Sequence, residues 1–392
     1  MSEPKRILIL TSKTGGGHLS LALALRDLLA GDAPISSGGY EPEMTDTKDT
    51  TTATFTIVDP QPSFFHLHYR FVSRKALWLW AAEFRFLDTP GRALITHKLF
   101  MRLVRRKLAD LLDRTRPDLI ITTYPFLTYE ARRVLEQGSY RIPLAMLFSD
   151  ANNIHSVLLT EREADATFAP TCETYEQALA AGFDPRRLHL VGWPVRAQFW
   201  QASLLRKDAQ QEQRCRMGLG PDRLTIFLQG GGEGAARVEG VIDTLLGNVT
   251  LRNNMQVILA AGTNAGLLAR YKTVPNLVAL PFTKEIALYM AAADVVMGKA
   301  GPNTLFEAVM LRKPFLATSF IPGQEQNNLS FIEHHGLGWV ALQPQEQLAL
   351  LSRLIDQPHK LQAMSHTIEA YRDWNAAANR RVCQVVQTLL DC

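Results

Sequence analysis

The sequence predicts an α/β protein made of two domains, each with parallel strands alternating with helices. The chain has 392 residues, which is long for a single domain, and 46% of them are hydrophobic, enough for large buried cores. Its two halves also begin alike. Apolar strands at 6–10 and 224–228 each run into a glycine-rich turn and then a helix. We therefore place the domain boundary near residue 200.

The first strand ends in the sequence Thr-Ser-Lys-Thr-Gly-Gly-Gly-His, and a helix is predicted from about Leu19. Three glycines allow a loop to approach a ligand closely and a helix to start tightly. They place Gly17 and His18 at the carboxyl edge of the sheet, where open α/β proteins bind ligands. The alternative is that His18 only caps the helix.

Residues 31–54 are rich in Gly, Ser, Thr and Asp, and they predict a long loop to which we assign no chemistry. A second strand is predicted at 54–58.

Residues 62–116, the basic–aromatic segment, have the most unusual composition in the chain. The part from His66 to Arg116 holds twelve Lys or Arg and four Asp or Glu, whereas the whole chain has a net charge of only +4. Aromatic and basic side chains on helices are typical of proteins that lie in a lipid headgroup layer. Nucleic-acid binding and an ordinary helix with a charged face remain alternatives, although no nucleic-acid motif is present. The membrane candidates are Trp78, Trp80, Arg102, Arg105, Arg106 and Lys107.

Two further strands, near 118–122 and 143–148, also have polar carboxyl ends. Asp150 and His155 follow the second of them and are candidates for the acceptor site. The alternatives are that Asp150 caps a turn and that His155 is a packed histidine.

The second half carries two candidate phosphate-binding turns. Residues Gly231, Gly232 and Glu233 belong to the turn after the strand at 224–228. The second turn follows Val295 and Val296, which we take as the end of a strand that the run from Gly298 to Thr304 breaks. The anion-binding candidates of this second turn are Lys299, Gly301, Pro302, Asn303 and Thr304. Pro302 suits the first position of a helix, and a helix N-terminus attracts anions.

Further polar side chains complete a predicted sugar-nucleotide site. Glu307 lies one helical turn past Thr304 and is placed to accept hydrogen bonds from a ribose diol. A strand predicted at 316–321 delivers Gln324, Glu325 and Asn328 to the same sheet edge. Their donors and acceptors suit the hydroxyl groups of a sugar.

The motifs Lys-Ala-Gly-Pro-x-Thr-x-x-Glu-Ala and Pro-Gly-Gln-Glu-x-x-Asn resemble the donor half of MurG-like glycosyltransferases. The branch most similar to this chain contains monogalactosyldiacylglycerol synthases and processive diacylglycerol glucosyltransferases. The resemblance implies the GT-B fold, two Rossmann-like domains facing each other across a cleft. It also implies that His18 activates the acceptor and that Phe282 and Thr283 flank the uracil base.

Two positions depart from the family pattern. Asn303 stands where the family usually has a second glycine, but asparagine tolerates left-handed backbone angles. Leu158 stands where a tryptophan is usual, three residues after His155, which leaves the acceptor contacts open.

The expected domains are an acceptor-binding, membrane-associating domain at 1–200, a UDP-sugar-binding domain at 201–365 and a helix at 366–392 that returns to the first domain. The expected activity is that of an inverting, metal-independent hexosyltransferase. It moves a hexose from a UDP-sugar, its co-substrate, to a diacylglycerol-type lipid, with His18 as general base assisted by Asp150 and no further cofactor. A transferase of N-acetylglucosamine to a polyprenyl-linked or soluble acceptor and a non-catalytic sugar-nucleotide sensor are the alternatives.

The expected location is the cytoplasmic face of an anionic membrane. The N-terminus shows no signal-peptide core, and four scattered cysteines suggest neither a disulfide framework nor a metal site.

Overall fold

A computed structural model describes residues 3–13, 16–31, 53–89, 91–92, 94, 102–138, 140–229 and 235–391. The chain forms two compact units, one made of Met1–Ala197 with Asp373–Cys392 and the other of Gln198–Arg372. The predicted loop at 31–54 lies almost wholly outside the described residues.

The first unit contains one six-stranded parallel sheet in the order β2-β1-β3-β4-β5-β6. Its strands are β1 (Arg6–Leu10), β2 (Thr54–Val58), β3 (Leu119–Thr122), β4 (Leu144–Leu147), β5 (Ala166–Ala169) and β6 (Leu188–Leu190). Its helices up to residue 196 are α1 (Gly17–Leu29), α2 (Ser63–Lys75), α3 (Leu77–Leu87), α4 (Arg102–Thr115), α5 (Pro125–Gly138) and α6 (Cys172–Ala180), and a short 3₁₀ turn spans Leu158–Thr160.

The central strands of this sheet are almost wholly apolar because helices cover both faces of a parallel sheet. Leu119–Thr122 and Leu144–Leu147 are buried at every position. Burial of both faces explains why these strands read as continuous hydrophobic runs rather than as alternating patterns.

Helix α7 (Ala197–Ala202) carries the chain into the second unit, which holds a parallel sheet in the order β12-β11-β10-β7-β8-β9. Its strands are β7 (Leu224–Gln229), β8 (Met255–Gly262), β9 (Leu277–Pro281), β10 (Val295–Lys299), β11 (Phe315–Ser319) and β12 (Gly338–Val340). Its helices are α8 (Lys207–Arg216), α9 (Ala235–Gly247), α10 (Val249–Asn254), α11 (Ala265–Tyr271), α12 (Ile286–Ala291), α13 (Pro302–Met310), α14 (Gln326–His334) and α15 (Pro344–Asp356).

The last helix, α16 (His359–Asp391), belongs to the first unit from Asp373 onward. There Asn375 donates to the carbonyl of Trp193 at 3.0 Å, and Asn379 donates to the carbonyl of Val191 at 2.7 Å. Gly192, between them, has a φ of 71°, and a Cβ at this position would lie 2.7 Å from the carbonyl oxygen of Asn375. The helix therefore packs directly on the segment after β6.

The predicted strand end at Val296 is three residues too early, because β10 continues to Lys299 and ends within the run from Gly298 to Thr304. A Cβ at Gly298 would lie 2.3 Å from the carbonyl oxygen of Gln229 on the neighbouring strand. The glycine is needed for the close approach of β7 and β10, not to end the strand. The pairing with β11 shifts register immediately after it.

In the described part of the basic–aromatic segment, α2 and α3 lie end to end on either side of Ala76, and α4 begins at Arg102. Among the described residues, no helix combines the length and apolar character needed to cross a bilayer.

Candidate functional site

In the first unit, the strand order changes direction between β1 and β3. The connection from β1 leads to β2 on one side, whereas β3 and the later strands lie on the other. Such a switch point leaves a crevice at the carboxyl ends of the strands, where ligands of open α/β sheets bind. The structure places His18 above this point, since its Nδ1 lies 2.9 Å from the carbonyl oxygen of Thr123 at the end of β3.

That contact fixes the tautomer of His18. A carbonyl oxygen can only accept, so Nδ1 carries the hydrogen and Nε2 keeps a lone pair. Burial lowers the pKa of His18 to about 4, although the hydrogen bond to Thr123 and the charge of Asp59 oppose the shift. The imidazole is therefore neutral near pH 7, the form a general base requires.

The surroundings of His18 hold the ring in place. Tyr124 meets the ring edge-on, with centroids 4.9 Å apart, and Thr123 is buried. Gly16 has a φ of 75° and precedes the first residue of α1, Gly17, which is half-buried. Helix α1 therefore begins at Gly17, two residues earlier than predicted. The glycines let the chain turn sharply enough to bring His18 back over the sheet.

Asp150 follows β4, as predicted, but its carboxylate does not orient His18, whose Nδ1 is held by Thr123. The carboxylate instead accepts the backbone N–H of His155 at 3.1 Å. Burial, opposed by the contacts with His155 and supported by the charge of Asp88, raises the pKa of Asp150 to about 6. Asp150 is thus a carboxylate that titrates close to neutrality.

His155 is a buried residue whose two ring nitrogens both contact the backbone. Nδ1 accepts the N–H of Val157 at 3.2 Å, so Nε2 carries the hydrogen and donates to the carbonyl of Phe84 at 3.1 Å. Asp88 accepts the N–H of Ser156 at 2.9 Å. These contacts join the end of α3 to the loop after Asp150, so they give His155 a structural task. Its predicted acceptor contact remains a prediction.

The structure adds two residues that the sequence analysis did not single out, Thr123 and Asp59. Thr123 directly follows β3, a buried strand, and Asp59 directly follows β2, a partly exposed strand at the edge of the sheet. The available signal was a polar residue at the carboxyl end of a parallel strand. This signal alone does not identify the neighbours of His18, because they depend on the order of the strands in the sheet, which the sequence does not show.

In the second unit, the switch point lies between β7 and β10. The predicted donor residues Gly231, Gly232 and Glu233, in the turn after β7, lie outside the described residues. After β10, Gly301 is the N-cap of α13 and Pro302 its first residue, as predicted. Residues 301–304 are half-buried at the start of this helix. The backbone N–H groups there and the helix dipole favour an anion.

Lys299 and Glu325 form an ion pair beside this helix start. Glu325 is buried, and its second carboxylate oxygen accepts the N–H of Ile321 at 2.8 Å. A Cβ at Gly301 would lie 3.3 Å from the Lys299 ammonium, so glycine keeps the helix start next to this charge. Asn328, also buried, donates to the carbonyl of Ala300 at 2.9 Å. The turns after β10 and β11 are thus held together by side chains that the sequence predicted to bind the sugar.

Three other polar groups lie in this part of the second unit. Glu307 is buried in the second turn of α13. The side-chain carbonyl oxygens of Gln229 and Gln324 are buried, and neither has a hydrogen-bond donor among the described residues. Buried acceptors normally have partners, and the hydroxyl groups of a bound ligand can supply them.

Phe282, immediately after β9, is 72% exposed and is therefore not a core residue. Thr283 accepts the N–H of Glu285 at 3.1 Å and so shapes the following turn. An exposed aromatic ring at the carboxyl edge of the sheet has a free face for stacking on a base.

The basic–aromatic segment has an exposed apolar surface. Phe64, Leu67 and Phe71 share one face of α2, and Trp78 on α3 is 75% exposed. Among the predicted membrane residues, Trp80 packs edge-on against Tyr69, with centroids 5.1 Å apart.

The predicted basic residues of α4 also differ in their surroundings. Arg106 and Lys107 are exposed. Arg105 pairs with the buried Glu130 at 2.5 Å, and the side chain of Arg102 lies outside the described part of the structure.

Two family models match separate parts of the chain. Residues 44–195 match the monogalactosyldiacylglycerol (MGDG) synthase family, and residues 225–384 match the glycosyltransferase family 28 C-terminal domain. The probable monogalactosyldiacylglycerol synthase 2 of Oryza sativa subsp. indica is 29% identical over 366 residues, which cover 89% of this chain and 73% of that protein. These matches confirm the resemblance that the motifs indicated.

Solved structures show the same fold. The structure of Anabaena Alr3699/HepE in complex with UDP-glucose superposes with a TM-score of 0.57 and 13% identity, covering 98% of this chain and 99% of that one. Acinetobacter baumannii MurG gives a TM-score of 0.57 and 14% identity over 98% of this chain and all of that one. The predicted α/β fold of the GT-B type is therefore confirmed.

Proposed function

We propose that this chain transfers a hexose from a UDP-sugar to a diacylglycerol-type lipid hydroxyl and so makes a glycolipid. The proposal is supported by the match of residues 44–195 to the MGDG synthase family and of residues 225–384 to the glycosyltransferase family 28 C-terminal domain. Inversion at the sugar and independence of metal ions are part of the proposal.

The observation that carries the proposal is the hydrogen bond from His18 to the carbonyl of Thr123. It leaves Nε2 unprotonated and available to accept a proton. In the proposed step, the acceptor oxygen bonds to the anomeric carbon from the side opposite the diphosphate. Its proton passes to His18 Nε2, and the bond between the sugar and the diphosphate breaks. A single displacement of this kind inverts the anomeric centre.

The leaving diphosphate needs positive charge, and the second unit provides it. The start of α13 presents backbone N–H groups, and Lys299 stands beside Gly301. Fixed charges and dipoles directed at a leaving group stabilise its developing charge, a task that metal ions perform in other transferases. We assign the ribose to Glu307, the base to Phe282 with Thr283, and the sugar to Gln324, Glu325 and Asn328.

The acceptor would be reached at an anionic membrane surface on the cytoplasmic side. The exposed apolar face of α2 and the exposed Trp78 support this part of the proposal, together with the exposed basic residues Arg106 and Lys107. Shallow insertion of aromatic rings combined with basic side chains suits a peripheral membrane protein.

The test is a panel of UDP-sugars offered with extracted lipids, with products identified by mass spectrometry. The expected product is a hexosyl diacylglycerol of inverted configuration, formed equally well in EDTA. The variant His18→Ala should lose roughly 100-fold or more in turnover, the usual size of general-base catalysis. Its affinity for UDP should remain unchanged, because the proposed donor site lies in the other unit.

His68→Ala is the matched control, because His68 is an exposed histidine of the same unit. Near-normal turnover in His18→Ala would remove His18 from the role of base. Transfer to a polyprenyl-linked or soluble acceptor, and none to diacylglycerol, would replace the proposed acceptor. UDP-sugar binding without any UDP release would favour a sensor.

A further inference from the structure

Asp59, the first residue after β2, holds together three neighbouring parts of the first unit. Its carboxylate accepts the backbone N–H of Lys13 at 2.7 Å and the backbone N–H of Gln61 at 3.0 Å, and Nε2 of His66 lies 3.1 Å from it. The carboxylate is almost completely buried, with 3% of the side chain exposed. Two backbone hydrogen bonds and a histidine beside it hold this buried carboxylate in place.

The contact with Lys13 holds the segment between β1 and His18, because Lys13 lies three residues after β1 and five before His18. In the same segment, Ser12 donates to the side-chain oxygen of Gln61 at 2.9 Å. The residues after β1 are therefore attached to those after β2 by two hydrogen bonds. One runs from a backbone N–H to a side chain, and the other joins two side chains. The charge of Asp59 also acts on His18 directly, because it favours the protonated ring.

The third contact comes from α2. His66 lies in the first turn of this helix with its Nε2 3.1 Å from the Asp59 carboxylate, whereas Phe64, Leu67 and Phe71 occupy the exposed face. Asp59 thus lies between the helix with the exposed apolar face and the strand end that leads to His18.

We propose that Asp59 is a positioning residue of the transfer reaction, which keeps the histidine base over the end of β3 and is itself held in place by α2 through His66. This inference rests on the proposed role of His18. Asp59 exchanges no proton with the acceptor. It fixes the strand end before His18, and its negative charge stabilises the imidazolium that forms when His18 takes the acceptor proton.

Asp59→Asn is the main test, because it keeps the size of the side chain and removes its charge. An amide has only one oxygen, whereas the two backbone N–H groups bond to different oxygens of the carboxylate. We expect kcat on detergent-dispersed diacylglycerol to fall about 10- to 100-fold, the range found when outer partners of metal-bound histidines are lost. The KM for the UDP-sugar should stay within about twofold. Asp59→Glu, which keeps the charge, should recover part of the activity.

The second measurement follows the ring of His18 by NMR in protein labelled at histidine, with the signal assigned by its loss in His18→Ala. The titration midpoint of His18 should fall in Asp59→Asn, because the charge that favours the imidazolium is gone. Loosening of the structure around His18 would instead raise this midpoint, because burial is what lowers it. His66→Ala, which leaves Asp59 charged, should reduce kcat by a smaller factor.

Glu83→Gln is the matched control. Glu83 on α3 pairs with His68 on α2 at 3.1 Å, so the variant removes a histidine–carboxylate pair of the same helix. It should leave both kcat and the His18 midpoint unchanged. Wild-type kcat and an unchanged midpoint in Asp59→Asn would overturn the inference, and if that variant does not fold, His66→Ala with wild-type kcat would overturn it. Normal turnover in His18→Ala would instead contradict the proposed function.

Discussion

Lys299, at the end of β10, forms an ion pair with Glu325 in the loop after β11. The two side chains come from adjacent strands and meet beside the start of α13. The lysine is partly exposed and the glutamate is buried. In this arrangement the charge proposed to stabilise the diphosphate also neutralises the carboxylate proposed to hold the sugar.

This pair predicts different effects for its two members. Lys299→Met should weaken UDP binding, because a positive charge beside the diphosphate is lost and a buried carboxylate is left uncompensated. It should also lower the free energy of unfolding by about 1–3 kcal/mol, the cost of leaving a buried charged group without its partner. Glu325→Leu should spare UDP affinity and reduce turnover. Calorimetry with UDP and thermal melting are the measurements. A double variant as unstable as the sum of the single variants would show that the pair is not coupled.

Glu307 provides a test of the ribose assignment. Glu307→Ala should weaken UDP and the UDP-sugar by the same factor, about tenfold, because a charged hydrogen bond to the ribose contributes roughly 1.5 kcal/mol. Glu333→Ala, which changes an exposed glutamate in the same unit, is the control. Unchanged UDP affinity in calorimetry would remove Glu307 from this role.

The raised pKa of Asp150 predicts how kcat/KM depends on pH. Its pKa is raised to about 6, whereas that of His18 is lowered to about 4. The Asp150 carboxylate therefore takes up a proton and loses its charge as the pH falls through 6, while His18 remains neutral over the same interval. If ionised Asp150 assists the reaction, kcat/KM should fall below about pH 6, since this ratio reports groups of the free enzyme. Asp150→Asn should have a lower rate and no such decrease near pH 6. A decrease that persists in this variant would assign it to another group.

The membrane surface is tested with vesicles. Arg106→Ser with Lys107→Ser should weaken binding to anionic phosphatidylglycerol vesicles by about 30-fold, since each basic side chain near such a surface contributes about 1 kcal/mol. Added salt should detach the protein. Arg252→Ser with Lys272→Ser, an exposed pair in the second unit, is the control and should bind normally. Equal sedimentation with anionic and neutral vesicles, or with neither, would reduce the basic–aromatic segment to ordinary helices with a charged face.

Gly298 provides a test of the donor-side sheet. Gly298→Ala should lower the free energy of unfolding by several kcal/mol, because its Cβ would clash with the carbonyl oxygen of Gln229 on β7. Gly240→Ala in α9 has open space around the new Cβ and should be neutral or stabilise by about 0.5–1 kcal/mol. Equal unfolding midpoints in denaturant for the two variants would contradict the close pairing of β7 and β10.

The sequence by itself determined the local features of this protein. The strand β1 at Arg6–Leu10 and the start of α13 at Pro302 were predicted where the structure has them, and α1 begins two residues before its predicted start. These features follow from hydrophobic periodicity, from the flexibility of glycine and from the fixed φ of proline, all of which act over a few residues. The motifs around Lys299 and Gln324 also indicated the glycosyltransferase class.

The tertiary structure decided which polar groups meet. Thr123 holds His18 because β3 lies next to β1, although 105 residues separate them in the chain. Asp59 reaches the segment before His18 because β2 pairs with β1 on the side opposite β3. Burial, which shifts the pKa values of His18 and Asp150 in opposite directions, likewise depends on the packed neighbours and not on the local sequence. Strand order and burial arise from contacts between distant segments, so a local pattern carries no record of them.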